Sequence, residues 1–170
     1  IRINIHIFKN TCTVSLDSSG NSLHQRGYRI LTNIAPINEV LAAGLLLKSG
    51  WDGQTDFFDP MCGSGTFLIE AAMIACNIPA NINRESYAFM HWNVREFHHK
   101  IIGYDKAPSA VRKAQENVDH ANLSDYITVE RKDFFRADKP VEGKLHMVFN
   151  PPYGERLPID MEIFYGKIGD

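Results

Sequence analysis

The sequence predicts an α/β fold, a Rossmann-like parallel sheet with helices on both faces, preceded by a β-hairpin. Three observations predict it. Short apolar segments at 55–59, 101–104, 126–130 and 145–149 alternate with helical spacings, the order a doubly wound sheet requires. A glycine-rich turn, Pro60-Met-Cys-Gly-Ser-Gly65, follows the first of these segments and opens a helix. Ahead of them, isoleucines at 1, 3, 5 and 7 alternate with Arg2, Asn4 and His6, the period of a half-buried strand.

Taken in order, Cys12, Val14 and Leu16 repeat that period, and Asp17-Ser-Ser-Gly-Asn21 closes it with turn chemistry. A helix is expected from near Pro36, with Ile37, Leu41, Gly44, Leu45 and Lys48 on one face and Gly50 ending it. Residues 66–77 are apolar nearly all round, as in a helix packed inside a protein. Residues 78–100 mix Pro, Asn, aromatics and His and read as an irregular connection. Ile101–Tyr104 is a strand ending in Asp105, and Val111, Ala114, Val118 and Ala121 line one face of the next helix. Two further strands lead into Asp133-Phe134-Phe135 and Asn150-Pro-Pro-Tyr153.

Composition narrows the class. The chain has 170 residues, 44% hydrophobic and 22% charged, which suits one globular domain. It holds no run of about 18 apolar residues, so no membrane segment is expected. Three scattered cysteines give neither a disulfide framework nor a Cys-x-x-Cys pair, which points to a cytoplasmic setting without structural zinc. The histidines are scattered too, and no metal is expected. A net charge of −2 is not that of a dedicated nucleic-acid-binding module. If the substrate is a nucleic acid, this piece does chemistry and something else supplies most of the grip. The chain opens in a strand pattern without Met and stops inside a helical spacing, which reads as part of a longer protein. Residues 1–30 are expected to be hairpin and linker, and 31–170 a truncated Rossmann-like domain.

In an open parallel sheet, ligands bind beyond the carboxyl ends of the strands. Four strand ends carry distinctive residues. At the first, Asp59, Pro60, Cys62, Gly63, Gly65 and Thr66 form a turn whose glycines permit close backbone approach beside helix N–H groups. A dinucleotide fingerprint wants a third glycine at 68, where Leu68 stands, and the Gly-Lys-Ser/Thr of a P-loop is absent. Such a loop suits a small carboxylate end, such as the methionine part of S-adenosylmethionine. At the second, Asp105 is placed to accept from ribose hydroxyls or to cap a helix. It follows Asp59 by 46 positions where about 20 is usual, and the excess falls in 78–100. At the third, Asp133 can accept from an adenine amine while Phe134 packs on the ring, or both are ordinary strand-end residues.

The fourth strand end is the most informative. An exocyclic amine is a weak nucleophile because its lone pair is delocalised into the ring. The Asn150 side-chain oxygen and the Pro151 carbonyl can each accept one N–H, which aims the nitrogen for an in-line displacement. Pro151 and Pro152 stiffen the loop, and Tyr153 offers a face for a base taken out of its stack.

Together, LDSSGNSLHQRGYR (16–29), APINEVLAAGLL (35–46), DPMCGSGTFLIEAAM (59–73) and NPPYGERL (150–157) resemble the bacterial large-subunit ribosomal RNA guanine-N2 methyltransferases. This family of class I S-adenosylmethionine-dependent enzymes is often labelled N6-adenine-specific DNA methylase because of the shared NPPY. The resemblance implies a THUMP domain before the hairpin and the methionine end of the cofactor at Gly63 and Gly65. It also implies ribose at Asp105, adenine at Asp133, and the target base at Asn150 to Tyr153. The segment around Pro36 would close one side of the cofactor site. Two departures are evident: residues 78–100 look shorter than in similar proteins, as if residues were lost after Val94, and the last strands of a seven-stranded sheet are not reached.

The resulting expectation is methyl transfer to guanine N2 in 23S rRNA. The nearest alternative is adenine N6 in DNA, which satisfies the same Asn150 geometry. A non-catalytic cofactor-binding module is disfavoured by the intact NPPY, and a nucleotide-dependent oxidoreductase by Leu68. Arg84, Arg95, Lys100, Lys106, Arg112 and Lys113 are expected to be mostly solvated, and Arg26 and Arg29 to lie near the cofactor or in structural pairs. Displacement by an amine needs no enzyme nucleophile, so Cys62 is given no catalytic role.

Overall fold

The computed structural model describes residues 2–17, 22–32, 35–82, 95–152, 161–166 and 168. Tyr153, Arg84 and most of the connection between 78 and 100 lie outside the described residues.

Strands β1 (Arg2–Phe8) and β2 (Thr11–Asp17) pair antiparallel, with Ile3 opposite Leu16, Ile5 opposite Val14 and Ile7 opposite Cys12. Opposed residues share a face, so these six side chains form one apolar surface. The sequence alternation therefore identified the hairpin, but its half-burial does not hold. Ile7 and Leu16 are each 70% exposed. Alternation sorts residues between two faces; it does not supply the layer that would cover one.

The main sheet has β3 (Asp56–Asp59), β4 (Ile101–Asp105), β5 (Ile127–Arg131) and β6 (Leu145–Met147) in the order β5-β4-β3-β6. All three pairings are parallel, so the four carboxyl ends share one rim. Helices α1 (Glu39–Lys48), α2 (Thr66–Ala75) and α3 (Pro108–His120) contribute, with Phe57, Ile101, Ile127 and Val129, to the main core. Across the sheet, Phe58, Ile102 and Tyr104 form a second cluster, against which Phe134, Ala137, Val141 and Leu145 pack. Helix α4 (Met161–Gly166) follows the last described strand.

Nine of the ten residues of α2 are buried, as its all-round apolar sequence requires. The first helix differs from expectation. It begins at Glu39 rather than near Pro36, because the Asn38 side chain accepts from the Leu41 N–H and caps it. Its inward face is Glu39, Ala42 and Leu46, while Leu41 and Leu45 are 55% and 41% exposed. Apolar residues surround this helix, so spacing alone could not select the face. An ion pair between Glu39 and Arg29 turns the helix inward at its first residue.

Candidate functional site

The turn after β3 is held by backbone geometry and by its neighbours. Gly63 and Gly65 have φ of 56° and 82°, where a side chain would be strained. A Cβ on Gly65 would stand 3.3 Å from Ala114 Cβ, so α3 comes close to the loop because this residue is glycine. The Cys62 N–H donates to the Tyr104 carbonyl at 2.9 Å, tying the turn to the end of β4. Asp105 completes the tie. Its Oδ2 accepts from the Gly63 N–H at 3.1 Å and its Oδ1 from the Ala107 N–H at 2.9 Å. Asp105 therefore braces both the glycine loop and the approach to α3, whose own N-cap is Ala107.

Asp59 is 2% exposed, and its Oδ1 accepts from the Met61 N–H at 3.0 Å. Burial, reinforced by the nearby Asp105 carboxylate, pushes its pKa up to about 8. The Cys62 thiol is buried beside these two carboxylates and is held well above its ordinary value, which leaves it a poor nucleophile.

Ala35, Pro36 and Ile37 face this turn across a cleft of about 80 Å³, whose lining also includes Asp59, Cys62, Gly63, Thr66 and Asn150. That space suits the small polar end of a ligand and not a whole nucleotide, whose remainder would lie outside it. The structure thus brings together five residues that the sequence singled out, from two strand ends. Asp105 joins them through Gly63, whereas Gly65 serves packing against α3. Pro151 and Pro152 follow Asn150 and are half-buried.

The third strand end stands apart from this cleft. Asp133 caps a short 3-10 turn, Phe134–Arg136, by accepting from the Phe135 N–H at 3.2 Å. Phe134 packs against Phe58 and Phe149, with ring centroids 6.5 and 6.1 Å away. Asp133 also borders a larger groove of about 600 Å³ along the outer face of β4 and β5, lined by Ile102, Tyr104, Thr128, Glu130 and Lys132. The groove includes neither the glycine loop nor Asn150, so its size does not make it the chemical centre.

Several site-forming residues had no sequence signal. Glu70, 1% exposed, accepts from Arg26 Nε and Nη2, each at 3.3 Å, and from the Tyr28 hydroxyl at 2.9 Å. Burial raises the Glu70 carboxyl and the Arg26 guanidinium opposes that shift. Asn117, completely buried in α3, bonds to Ile30, Leu31 and Ser64. A buried amide or a buried acid within a helix looks like a surface residue until its partners, over forty positions away, are placed. Of the cations expected to be solvated, Arg95, Lys100, Lys106 and Arg112 are exposed and Lys113 is half-buried. Among the described residues, no helix is long and apolar enough to cross a membrane.

The strand order, the glycine turn between β3 and α2, and the acid at the end of β4 define a class I methyltransferase domain. S-adenosylmethionine is the cofactor of that class. Residues 26–169 match the family described as RMKL-like, methyltransferase domain, and the chain belongs to it. It is 37% identical to the ribosomal RNA large subunit methyltransferase K/L of Cellvibrio japonicus, over 99% of this chain and 26% of that protein. Against the same enzyme of Pseudomonas aeruginosa it is 35% identical, over 97% and 26%. Among solved structures, SMU.472 complexed with SAH superposes with a TM-score of 0.82 at 33% identity, covering 98% of this chain and 48% of that one. A predicted N6-adenine-specific DNA methylase from Listeria monocytogenes gives 0.78 at 34%, covering 97% and 47%. The chain thus spans about a quarter of these curated relatives and about half of these structures. The Cellvibrio match runs over 199 positions against a chain of 170, so the relative has residues within the matched stretch that this chain lacks.

Proposed function

We propose that this domain methylates an exocyclic amine of a nucleic-acid base, most specifically guanine N2 in 23S rRNA in the cytoplasm. The observation that carries the reading is the presence of Asn150 in the wall of the cleft formed by the glycine loop and the Pro36 segment. The residues fit S-adenosylmethionine. Among the described residues no side chain caps the N-terminus of α2, so its N–H groups and Thr66 suit the methionine carboxylate. Asp59, Pro60, Cys62 and Gly63 would line the methionine end, with Gly65 shaping the turn. Asp105 has lone pairs beyond its two backbone bonds for ribose hydroxyls, and adenine would extend out of the cleft toward Asp133 and Phe134 at the third strand end.

Bound there, S-adenosylmethionine supplies an electrophilic methyl group on sulfonium. The chain's part is positioning. The Asn150 side-chain oxygen and Pro151 carbonyl accept the two amine hydrogens and orient the nitrogen lone pair. Pro151 and Pro152 limit the motion of that loop, and Tyr153 stacks on the base. With a net charge of −2, the domain would rely on RNA contacts from elsewhere in the protein. The ribosomal RNA names of the curated relatives favour RNA. The name of the Listeria relative favours a second reading, adenine N6 in DNA.

The test incubates the purified protein with S-adenosylmethionine and either protein-free large-subunit rRNA or unmethylated DNA, followed by mass spectrometry of nucleosides. N2-methylguanosine in the RNA is the expected product. N6-methyladenine in the DNA would replace the substrate while keeping the role of Asn150.

A further inference from the structure

Residues 26–31 cross α2 and α3, with Arg26 and Tyr28 bonded to Glu70 and Ile30 and Leu31 bonded to Asn117, and Arg29 lies between these contacts. Arg29 Nη2 donates to the Ile37 carbonyl at 2.8 Å and to Thr66 Oγ1 at 2.6 Å. Ile37 and Thr66 line the cleft, one from the Pro36 segment and the other from the first residue of α2. The guanidinium therefore spans from one wall to the other. Its Nε lies 3.4 Å from the buried Glu39, which neutralises the charge and anchors the Arg29 side chain to the start of α1.

We propose that Arg29 is a positioning residue that keeps the cofactor cleft closed by holding the Pro36 wall against Thr66. The inference rests on the cofactor reading above and extends it to a residue that is not itself part of the cleft lining. Two features separate this role from a general contribution to folding. Arg29 is not a member of the main core, although its neighbour Tyr28 is, so its loss removes polar contacts and no core side chain. A planar guanidinium can also pair with Glu39 through one nitrogen while bridging both walls through another, which a single ammonium does not reproduce. Because Thr66 Oγ1 accepts from Arg29, its hydroxyl proton remains to donate elsewhere.

The experiment compares the intact protein with Arg29→Gln and with Leu123→Ala, a deletion in the buried core after α3. Calorimetry with S-adenosylhomocysteine gives affinity, urea denaturation without ligand gives stability, and hydrogen exchange follows the amides of Thr66 and Phe67. Arg29→Gln is expected to bind at least about tenfold more weakly and to exchange faster at these amides, while Leu123→Ala loses at least as much stability and binds like wild type. Equal affinity of Arg29→Gln and wild type overturns the inference, as does an equal loss of affinity in Leu123→Ala. If Arg29→Gln does not fold, Arg29→Lys keeps the charge, loses the bridge, and carries the same expectation and refutation. A wild-type protein that does not bind S-adenosylhomocysteine overturns the cofactor reading as well, which separates that failure from one confined to Arg29.

Discussion

The side-chain amide of Asn117 in α3 donates to the Ser64 carbonyl in the glycine loop at 2.9 Å. The same amide nitrogen donates to the Leu31 carbonyl at 2.8 Å, and Oδ1 accepts from the Ile30 and Leu31 N–H groups at 3.0 and 3.1 Å. One completely buried side chain thus uses both donors and both acceptor positions to join three segments distant in sequence.

Asn117→Leu keeps the size of the side chain and removes all four bonds. The backbone groups left behind are partly buried and water reaches them poorly, so the loss should reach about 3 kcal/mol, given 1–3 kcal/mol for each buried group left unsatisfied. Urea denaturation measures it. A loss below about 1 kcal/mol would show that water replaces the amide and that the three segments hold together without it.

A second relationship explains why the missing third glycine does not impair packing. In a dinucleotide fold that glycine lets the helix approach the strand closely. Here Leu68 fills the position, and the space is supplied from the strand side by Gly103, where an added Cβ would stand 2.4 Å from Leu68 Cδ1 and 3.1 Å from Cys62 Cβ. Gly103→Ala should therefore cost about 1–3 kcal/mol by overpacking. In the double variant with Leu68→Ala the two costs should fall short of additive by at least about 0.5 kcal/mol. Strict additivity in denaturant titrations would mean that the strain is relieved by backbone movement instead.

Asp59 makes the stability depend on pH in an unusual direction for an acid. Its pKa rises from the ordinary 3.8 to about 8 in the folded protein. Between these values the native state holds a proton that the unfolded chain has lost, so stability falls as pH rises. The contribution is fully present below about pH 4, declines toward pH 8, and is constant above it. Asp59→Asn keeps an oxygen for the Met61 N–H and lacks the titration. The variant should gain on wild type by roughly a few kcal/mol between pH 5 and 8, because a tenfold change in proton activity is worth about 1.36 kcal/mol to a group protonated only in the native state. A constant difference across that range would show that Asp59 ionises freely in the native state.

Much of this architecture is legible in the sequence because local patterns carry it. Apolar runs of strand length, the turn at Gly63 and Gly65, and the acid after Ile101–Tyr104 all report on their own surroundings. Burial of an amphipathic face is legible only when its partner is local, as the exposed Ile7 and Leu16 of the hairpin show. The same limit hides Glu70. Within TFLIEAAM it is the one charged residue, and only the return of Arg26 and Tyr28 to α2 explains its burial. The cleft was legible as a set of strand ends, but its second wall depends on Arg29 reaching Thr66, a contact between residues 37 positions apart.

The proposed chemistry turns on Asn150, half-buried beside the glycine loop. If its amide oxygen accepts a hydrogen of the target amine, the interaction strengthens as that nitrogen becomes tetrahedral, and its loss falls on the transfer step rather than on cofactor affinity. Asn150→Ala should lower the single-turnover rate by about 10²-fold or more, comparable to removing one hydrogen bond that stabilises a developing charge. Binding of S-adenosylhomocysteine, followed by calorimetry, should change by less than about tenfold, the ceiling for one neutral hydrogen bond. Asn150→Asp retains an acceptor at the same place and should fall between the two. An Asn150→Ala protein that methylates at the wild-type rate would remove this side chain from the mechanism. Parallel losses of rate and affinity would instead make it a wall of the cofactor cleft.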